Sequence, residues 1–181
     1  MADLIVIIVL GYIAGSFPSG IIFGKIFNQG IDIRKHGSGN TGATNAFRVL
    51  GWKIGTAVAL LDVFKGFAAV LWVSKISFFE GNIPASVSFI AVTLSVVLGH
   101  IFPVFTGFRG GRGFGAAVGA VIAYTPLPAP FCLLVFLVVL GFTGWVSICA
   151  AAAALTLPIA YTSISIARNS RPDSLVLIFY I

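Results

Sequence analysis

Long stretches of apolar residues that carry almost no charge set the first limit on what this chain can become. They cover residues 4–27, 54–73, 85–105, 114–124, 131–142, 146–167 and 175–181. A helix needs roughly 20 apolar residues to cross the hydrocarbon of a bilayer. The first three runs and the sixth reach that length. The chain is 59% hydrophobic and 9% charged, whereas a soluble domain carries about 25% charged residues. One core of this size cannot hide so much apolar surface, so the excess must face lipid. The sequence therefore predicts an all-α polytopic membrane protein with about seven transmembrane helices, the last incomplete, in a single domain over residues 1–181.

The interruptions are as informative as the runs. Gly15, Ser16, Pro18 and Gly20 break the first one, because proline removes a backbone donor and clashes with the preceding turn. Runs 114–124 and 131–142 are too short to span alone, and Pro126, Pro128 and Pro130 separate them. They form either two short helices or a re-entrant hairpin, which is tolerable where protein surrounds the helix ends. The N-terminus lacks the basic region and cleavage site of a secretory signal, so the first run is expected to stay as a membrane helix. The final run stops at Ile181, too short to span, and the sequence is expected to be incomplete at its C-terminus.

The net charge is +6, from eleven Lys and Arg against five Asp and Glu. Nucleic acid is not the expected partner, because these charges sit in short loops between apolar runs. They read as the positive-inside signal, as contacts to anionic lipid, or as a phosphate site. Arg34, Lys35, Arg48 and Lys53 cluster after the first run, with Lys25 at its end, and Arg109 and Arg112 follow the third. The loop between has Lys75, balanced by Glu80. Both glycine-rich loops are thus expected on the cytoplasmic side, with the N-terminus outside. Arg168 and Arg171 then fall outside, against the rule, with Asp173 offsetting one.

Chemistry concentrates in those two loops. In residues 36–48, Gly37, Gly39 and Gly42 let the backbone curl and aim N–H groups inward. Ser38, Asn40, Thr44 and Asn45 add neutral donors, and Arg48 adds a planar charged fork. The set suits a phosphate or acyl-phosphate oxyanion. The alternative is a tight loop whose small residues let helices approach. In residues 99–113, Gly110, Gly111 and Gly113 bracket Arg112 just before a helix. A helix N-terminus with a guanidinium is an anion site; the alternative for Arg112 is a topology signal.

Other polar groups are more equivocal. His100 is either a hydrogen-bonded structural residue or a substrate contact. Asp62 and Lys65 lie i, i+3 on one helix face. Each charge costs roughly 2.5–3.5 kcal/mol at the centre of a spanning helix. An ion pair would reduce that cost, and a phosphate contact from Lys65 is the alternative. Ser147 opens the sixth run, as a packing residue or beside a site. Cys132 and Cys149 lie in apolar runs and read as small core residues. No metal or cofactor is expected: there is no CxxC and no acidic cluster for Mg²⁺. The HxxxxD pattern fails after both histidines, there is no GxSxG elbow, and no nucleophile–base pair stands out.

Residues 37–48 resemble the first signature of the acyl-phosphate:glycerol-3-phosphate acyltransferases, the PlsY family. Residues 99–113 resemble the second, GHxFPVFxxFxGGKG. Residues 15–20, 61–66 and Val146-Ser147 are similar as well, so the likeness runs over nearly the whole chain. It implies a bacterial inner-membrane enzyme of seven helices with a cytoplasmic site. It implies transfer of a fatty acyl group from acyl phosphate to glycerol 3-phosphate, yielding lysophosphatidic acid and phosphate. Membrane lipids surround such an enzyme, and it is expected to act as a monomer without cofactors. Carried onto this sequence, Ser38, Arg48 and Arg112 become the candidate catalytic residues. Gly37, Gly39, Asn40, Gly42, Thr44, Asn45, Lys65, His100, Gly110, Gly111, Gly113 and Ser147 become the candidate substrate-binding set.

Three positions depart from the pattern. The lysine of GGKG is Arg112 here, and the threonine usual soon after it is Ala116. The third signature, HRxNI, would begin just after Ile181, so the chain as given lacks part of the family's substrate-binding set and is open to being inactive. Acyl phosphate already carries a good leaving group, so the expected mechanism is positioning and charge balance with direct attack by the glycerol hydroxyl. A small anion transporter or channel is the alternative, suggested by the broken helices.

Overall fold

The computed structural model describes residues 2–27, 30–76 and 83–181. Glu80, the expected counter-charge to Lys75, lies outside the described residues. Among these residues the secondary structure is helical: α1 (Ala2–Gly15), α2 (Ser19–Phe27), α3 (Ala43–Trp72), α4 (Ala85–Ile101), α5 (Phe114–Tyr124), α6 (Ala129–Thr143), α7 (Val146–Ala167) and α8 (Ser174–Tyr180), with three short 3₁₀ turns. Four helical stretches among the described residues, two of them broken by a short turn, are long and apolar enough to cross a membrane: Ala2–Phe27, Ala43–Lys75, Ala85–Thr106 and Val146–Ala167. Their outer faces carry exposed Leu60, Trp72, Leu98, Leu155 and Ile159. Such a surface is stable only against lipid. The chain is a multi-pass membrane protein.

The chain divides into two compact units, residues 1–120 and 121–181. In the first, α1 and α4 run parallel, as a first and a third crossing do. Gly11 faces Ser95, Gly15 faces Val96, and Gly99 faces Tyr12 and Ser16. Small residues let the two backbones touch, which is how helices associate when lipid removes the hydrophobic drive. The Tyr12 hydroxyl donates to the Phe102 carbonyl at 2.6 Å and ties α1 to the end of α4. Gly66 and Gly119 bring α3 against α5 in the same way, meeting the carbonyls of Ala116 and Val63.

The sequence places the second apolar run from residue 54, but α3 begins eleven residues earlier, at Ala43. The chain turns at Gly51, whose φ of 82° interrupts the helix. The extra segment is helical because it has a core of its own. Ala46 and Leu50 bury against Ile21 of α2, Ile33 of the first loop and Val58 beyond the turn. Each aliphatic side chain removed from water contributes roughly 1.5–3 kcal/mol. Tertiary burial thus makes a helix of residues whose polar, glycine-rich composition reads as loop.

The run at 114–124 forms a helix, α5, that begins in the first unit and ends just inside the second, and the run at 131–142 forms a separate helix, α6, in the second unit. Gly144, at φ 67°, caps α6 and reverses the chain into α7. Asp173 caps α8, accepting from the backbone N–H of Leu175 at 2.9 Å and of Val176 at 3.3 Å. The Thr125 and Tyr180 hydroxyls share a 2.7 Å hydrogen bond.

Candidate active site

The first glycine-rich loop is shaped from within. Asn45 is 1% exposed. Its Nδ2 donates to the carbonyls of Ile33, His36 and Asn40 at 3.0, 3.1 and 2.8 Å. Its Oδ1 accepts from the Ser38 N–H at 2.9 Å. The side chain expected to offer donors outward instead holds four loop residues around itself. Gly37 sits at φ 60°, and a Cβ there would overlap Asn45 Oδ1. Only glycine meets both demands. Asn40 Oδ1 accepts from the Gly42 N–H at 2.8 Å, which turns the chain into α3. Gly42 is the N-cap and supplies no side-chain cap. The start of α3 therefore offers its N–H groups and positive dipole end to an anion.

Asp32 and Arg34 brace this loop from outside. The guanidinium meets the carboxylate at 2.7 Å, and Asp32 also accepts from the Arg34 backbone N–H at 3.0 Å. Hydrogen bonding from the Arg34 side chain holds the Asp32 carboxyl down to about 2, against a desolvation effect of opposite sign. Arg34 Nη1 also reaches the Thr106 carbonyl of the second loop at 3.4 Å, a long contact.

The second loop folds back on the end of α4. The Gly110 and Gly111 N–H groups donate to the carbonyls of Ile101 and His100, both at 3.0 Å. Two of the helix's terminal acceptors are thereby satisfied. Gly110 and Gly111 are required by contact: a Cβ on the first would overlap the His100 carbonyl, and on the second the His100 imidazole. Gly113, at φ 79°, then leads into α5, and Arg112 is exposed between them.

The two loops meet. A Cβ built on Gly42 would lie 3.7 Å from the Gly111 Cα and 3.9 Å from His100 Nε2. His100 stands at the seam of the two signatures. Ser38, Thr44, Arg48 and Arg112 are exposed, Asn40 and Gly42 are partly covered, and Asn45, His100 and Gly111 are buried. Gly37 and Gly39 lie on the outer bend of the first loop, exposed. Ser147 lies in the first turn of α7, in the second unit.

Beneath the seam is a buried polar cluster. Asp62 Oδ1 accepts from the Ser19 hydroxyl at 2.6 Å and pairs with Lys65 Nζ at 3.0 Å. His100 Nδ1 is 3.5 Å from the same oxygen. That contact is not a hydrogen bond, since Nδ1 has no hydrogen-bond partner among the described residues. Lys65 Nζ also donates to the Phe17 carbonyl at 3.1 Å. Of the two readings of Asp62 and Lys65, the ion pair is present. Ser19 as a partner of Asp62 and the Phe17 carbonyl as a partner of Lys65 were not legible in the sequence, although Pro18 marked the break between them. A charged pair this deep is tolerated because each member also has hydrogen-bond partners.

The fold and the paired loops define a class: a multi-pass helical membrane protein that presents two glycine-rich segments, with Arg48 and Arg112 exposed on them, beside two helix starts. The glycerol-3-phosphate acyltransferase family profile matches residues 5–181, and the chain belongs to that family. A glycerol-3-phosphate acyltransferase of Chlorobium phaeobacteroides is 42% identical over 167 residues, covering 88% of this chain and 69% of the relative. The crystal structure of PlsY, an integral membrane glycerol 3-phosphate acyltransferase, in its glycerol 3-phosphate form superposes with a TM-score of 0.80. Its lysophosphatidic acid form gives 0.78. Each is 33% identical, over 99% of this chain and 83% of that one. The chain is an acyltransferase, and the transporter alternative gives way.

Proposed function

We propose that this enzyme transfers a fatty acyl group from acyl phosphate to glycerol 3-phosphate at the cytoplasmic face of a bacterial inner membrane, releasing lysophosphatidic acid and phosphate. The observation that carries the reading is the meeting of the two signatures at Gly42 and Gly111 over His100. It brings the start of α3 and the segment that leads into α5 into one neighbourhood. The PlsY structures, with their glycerol 3-phosphate and lysophosphatidic acid forms, support the acceptor and the product.

In this reading Ser38, Thr44, Arg48 and Arg112 hold phosphoryl oxygens from their exposed positions. Asn40, Asn45 and the glycines set the backbone that offers N–H groups to the same oxygens. The loop conformation is fixed before substrate arrives, so little reorganisation opposes binding. The glycerol hydroxyl attacks the acyl carbonyl, the carbonyl–oxygen bond to phosphate breaks, and phosphate departs with the proton. No acyl-enzyme is involved, and neither Ser38 nor Ser147 is acylated.

The test is formation of lysophosphatidic acid by the purified chain in lipid vesicles, given acyl phosphate and glycerol 3-phosphate. Acyl-coenzyme A in place of acyl phosphate should give no product. Transfer from the coenzyme A ester alone would overturn the donor assignment, and an acyl-serine trapped on the protein would overturn direct transfer.

A further inference from the structure

The polar cluster under the seam draws one side chain or more from each of three helices: Ser19 from α2, Asp62 and Lys65 from α3, and His100 from α4. Asp62 and Lys65 offset each other's charge at 3.0 Å, and the Ser19 hydroxyl donates to the same carboxylate oxygen at 2.6 Å. The two ring nitrogens of His100 meet different surroundings. Nδ1 is buried 3.5 Å from Asp62 Oδ1 and has no hydrogen-bond partner among the described residues. Nε2 lies at the seam: a Cβ on Gly111 would overlap it, and one on Gly42 would stand 3.9 Å away.

A ring nitrogen sealed against a carboxylate oxygen carries its proton, because a lone pair there would face negative charge. The other nitrogen of a neutral imidazole is then unprotonated. The carboxylate therefore fixes which edge of the ring points inward. The opposite edge is the surface on which the Gly111 backbone rests, close to the start of α3.

We propose that Asp62 is a positioning residue for the phosphate cage: with Ser19 it holds the His100 ring, Nδ1 protonated and inward, where the ring spaces the Gly42 and Gly111 backbones for a phosphoryl group. The inference rests on the phosphate-cage reading above. Asp62 acts through His100 and touches no substrate.

Position and charge give opposite expectations for Asp62→Asn. Loss of the carboxylate leaves Lys65 uncompensated, a net positive charge beneath an anion site. Charge alone would make glycerol 3-phosphate bind more tightly. A ring without its support lets the loop N–H groups drift, and binding weakens. Displacement by about 1 Å can cost about a hundredfold in rate, so a rise of roughly tenfold in the Kd is a moderate expectation.

The test measures the Kd for glycerol 3-phosphate with the full chain in vesicles, by titration calorimetry. Asp62→Asn should raise it roughly tenfold. Ser19→Ala keeps every charge and should raise it about threefold, the effect of one lost hydrogen bond. In a His100→Ala background neither substitution should weaken binding further, because all three residues act through one contact chain. Binding as tight as wild type in both single variants, or equal weakening with and without His100, overturns the proposal. Should Asp62→Asn fail to fold, Ser19→Ala carries the same comparison.

A second arm needs no ligand. The ring ¹⁵N spectrum of His100, assigned with the help of His36→Gln, should show Nδ1 protonated and Nε2 unprotonated. Asp62→Asn should move the proton toward Nε2. Any other protonation pattern in the wild type, or a pattern that Asp62→Asn leaves unchanged, overturns the proposal. If no form binds glycerol 3-phosphate while the ring responds to Asp62→Asn, the cage reading fails and the control of His100 by Asp62 stands.

Discussion

The backbone of Gly111 lies flat against the imidazole of His100: a Cβ added to Gly111 would overlap Nε2 and stand 2.7 Å from Cδ2. One glycine of the second signature thus rests on a histidine of the same signature, with Gly42 of the first signature 3.9 Å from that nitrogen by the same construction.

Gly111→Ala should therefore cost both activity and stability. The obstructing group is a packed ring, 6% exposed, and overpacking of this kind costs about 1–3 kcal/mol. Thermal unfolding in detergent should register that loss, and lysophosphatidic acid formation should fall at least tenfold. Adding His100→Ala should recover part of the stability, since the two residues are in contact and their effects are coupled. Strictly additive losses would mean that the ring is not the obstacle.

The Asp62–Lys65 pair is expected to be costly to break and cheap to remove. Lys65→Met leaves a buried carboxylate with Ser19 as its remaining close partner, and loss of one member of such a pair costs roughly 3–5 kcal/mol. Asp62→Asn should be comparably harmful. The double variant should be less destabilised than the sum of the singles, as read by the midpoint of thermal unfolding. Equal and independent losses would place the pair's contribution elsewhere than in mutual neutralisation.

Arg112 separates charge from shape. The family signature carries lysine at this position, so Arg112→Lys should retain measurable transfer. Arg112→Ala should raise the KM for glycerol 3-phosphate by at least tenfold or abolish turnover, because hydrogen bonds to charged groups contribute roughly 1.5–3 kcal/mol. Unchanged kinetics in the alanine variant would remove Arg112 from the phosphate site.

The Asp32–Arg34 brace should weaken in acid. Asp32 has its carboxyl lowered from 3.8 to about 2 by Arg34. A carboxyl depressed in the folded state contributes its stabilisation fully above its unfolded value, and loses it as pH falls through the folded value. Between roughly pH 4 and pH 2 the first loop should become more accessible to an acid-active protease. Asp32→Asn should abolish that pH dependence. A loop whose cleavage does not change across this window would show that the brace has no part in holding it.

Some of this molecule is written in local composition. Apolar runs long enough for hydrocarbon, Pro18 and the prolines at 126–130 as breaks, and glycine-rich segments bearing Arg48 and Arg112 can each be read within a few dozen residues. They are legible because hydrophobicity, proline sterics and glycine freedom are properties of single residues or short windows. The membrane class and the identity of the two signature loops follow from them.

The tertiary structure decided what those residues do to one another. Asn45 has the composition of a ligand donor, yet it points inward and spends its amide on loop carbonyls. Ser19 reaches Asp62 across 43 residues, and the start of α3 is helical because Ala46 and Leu50 find a core made by α2 and the first loop. Nothing within those short windows carries that information. Which donor is consumed and which remains for substrate depends on the partner that packing delivers, and the partner is remote in sequence.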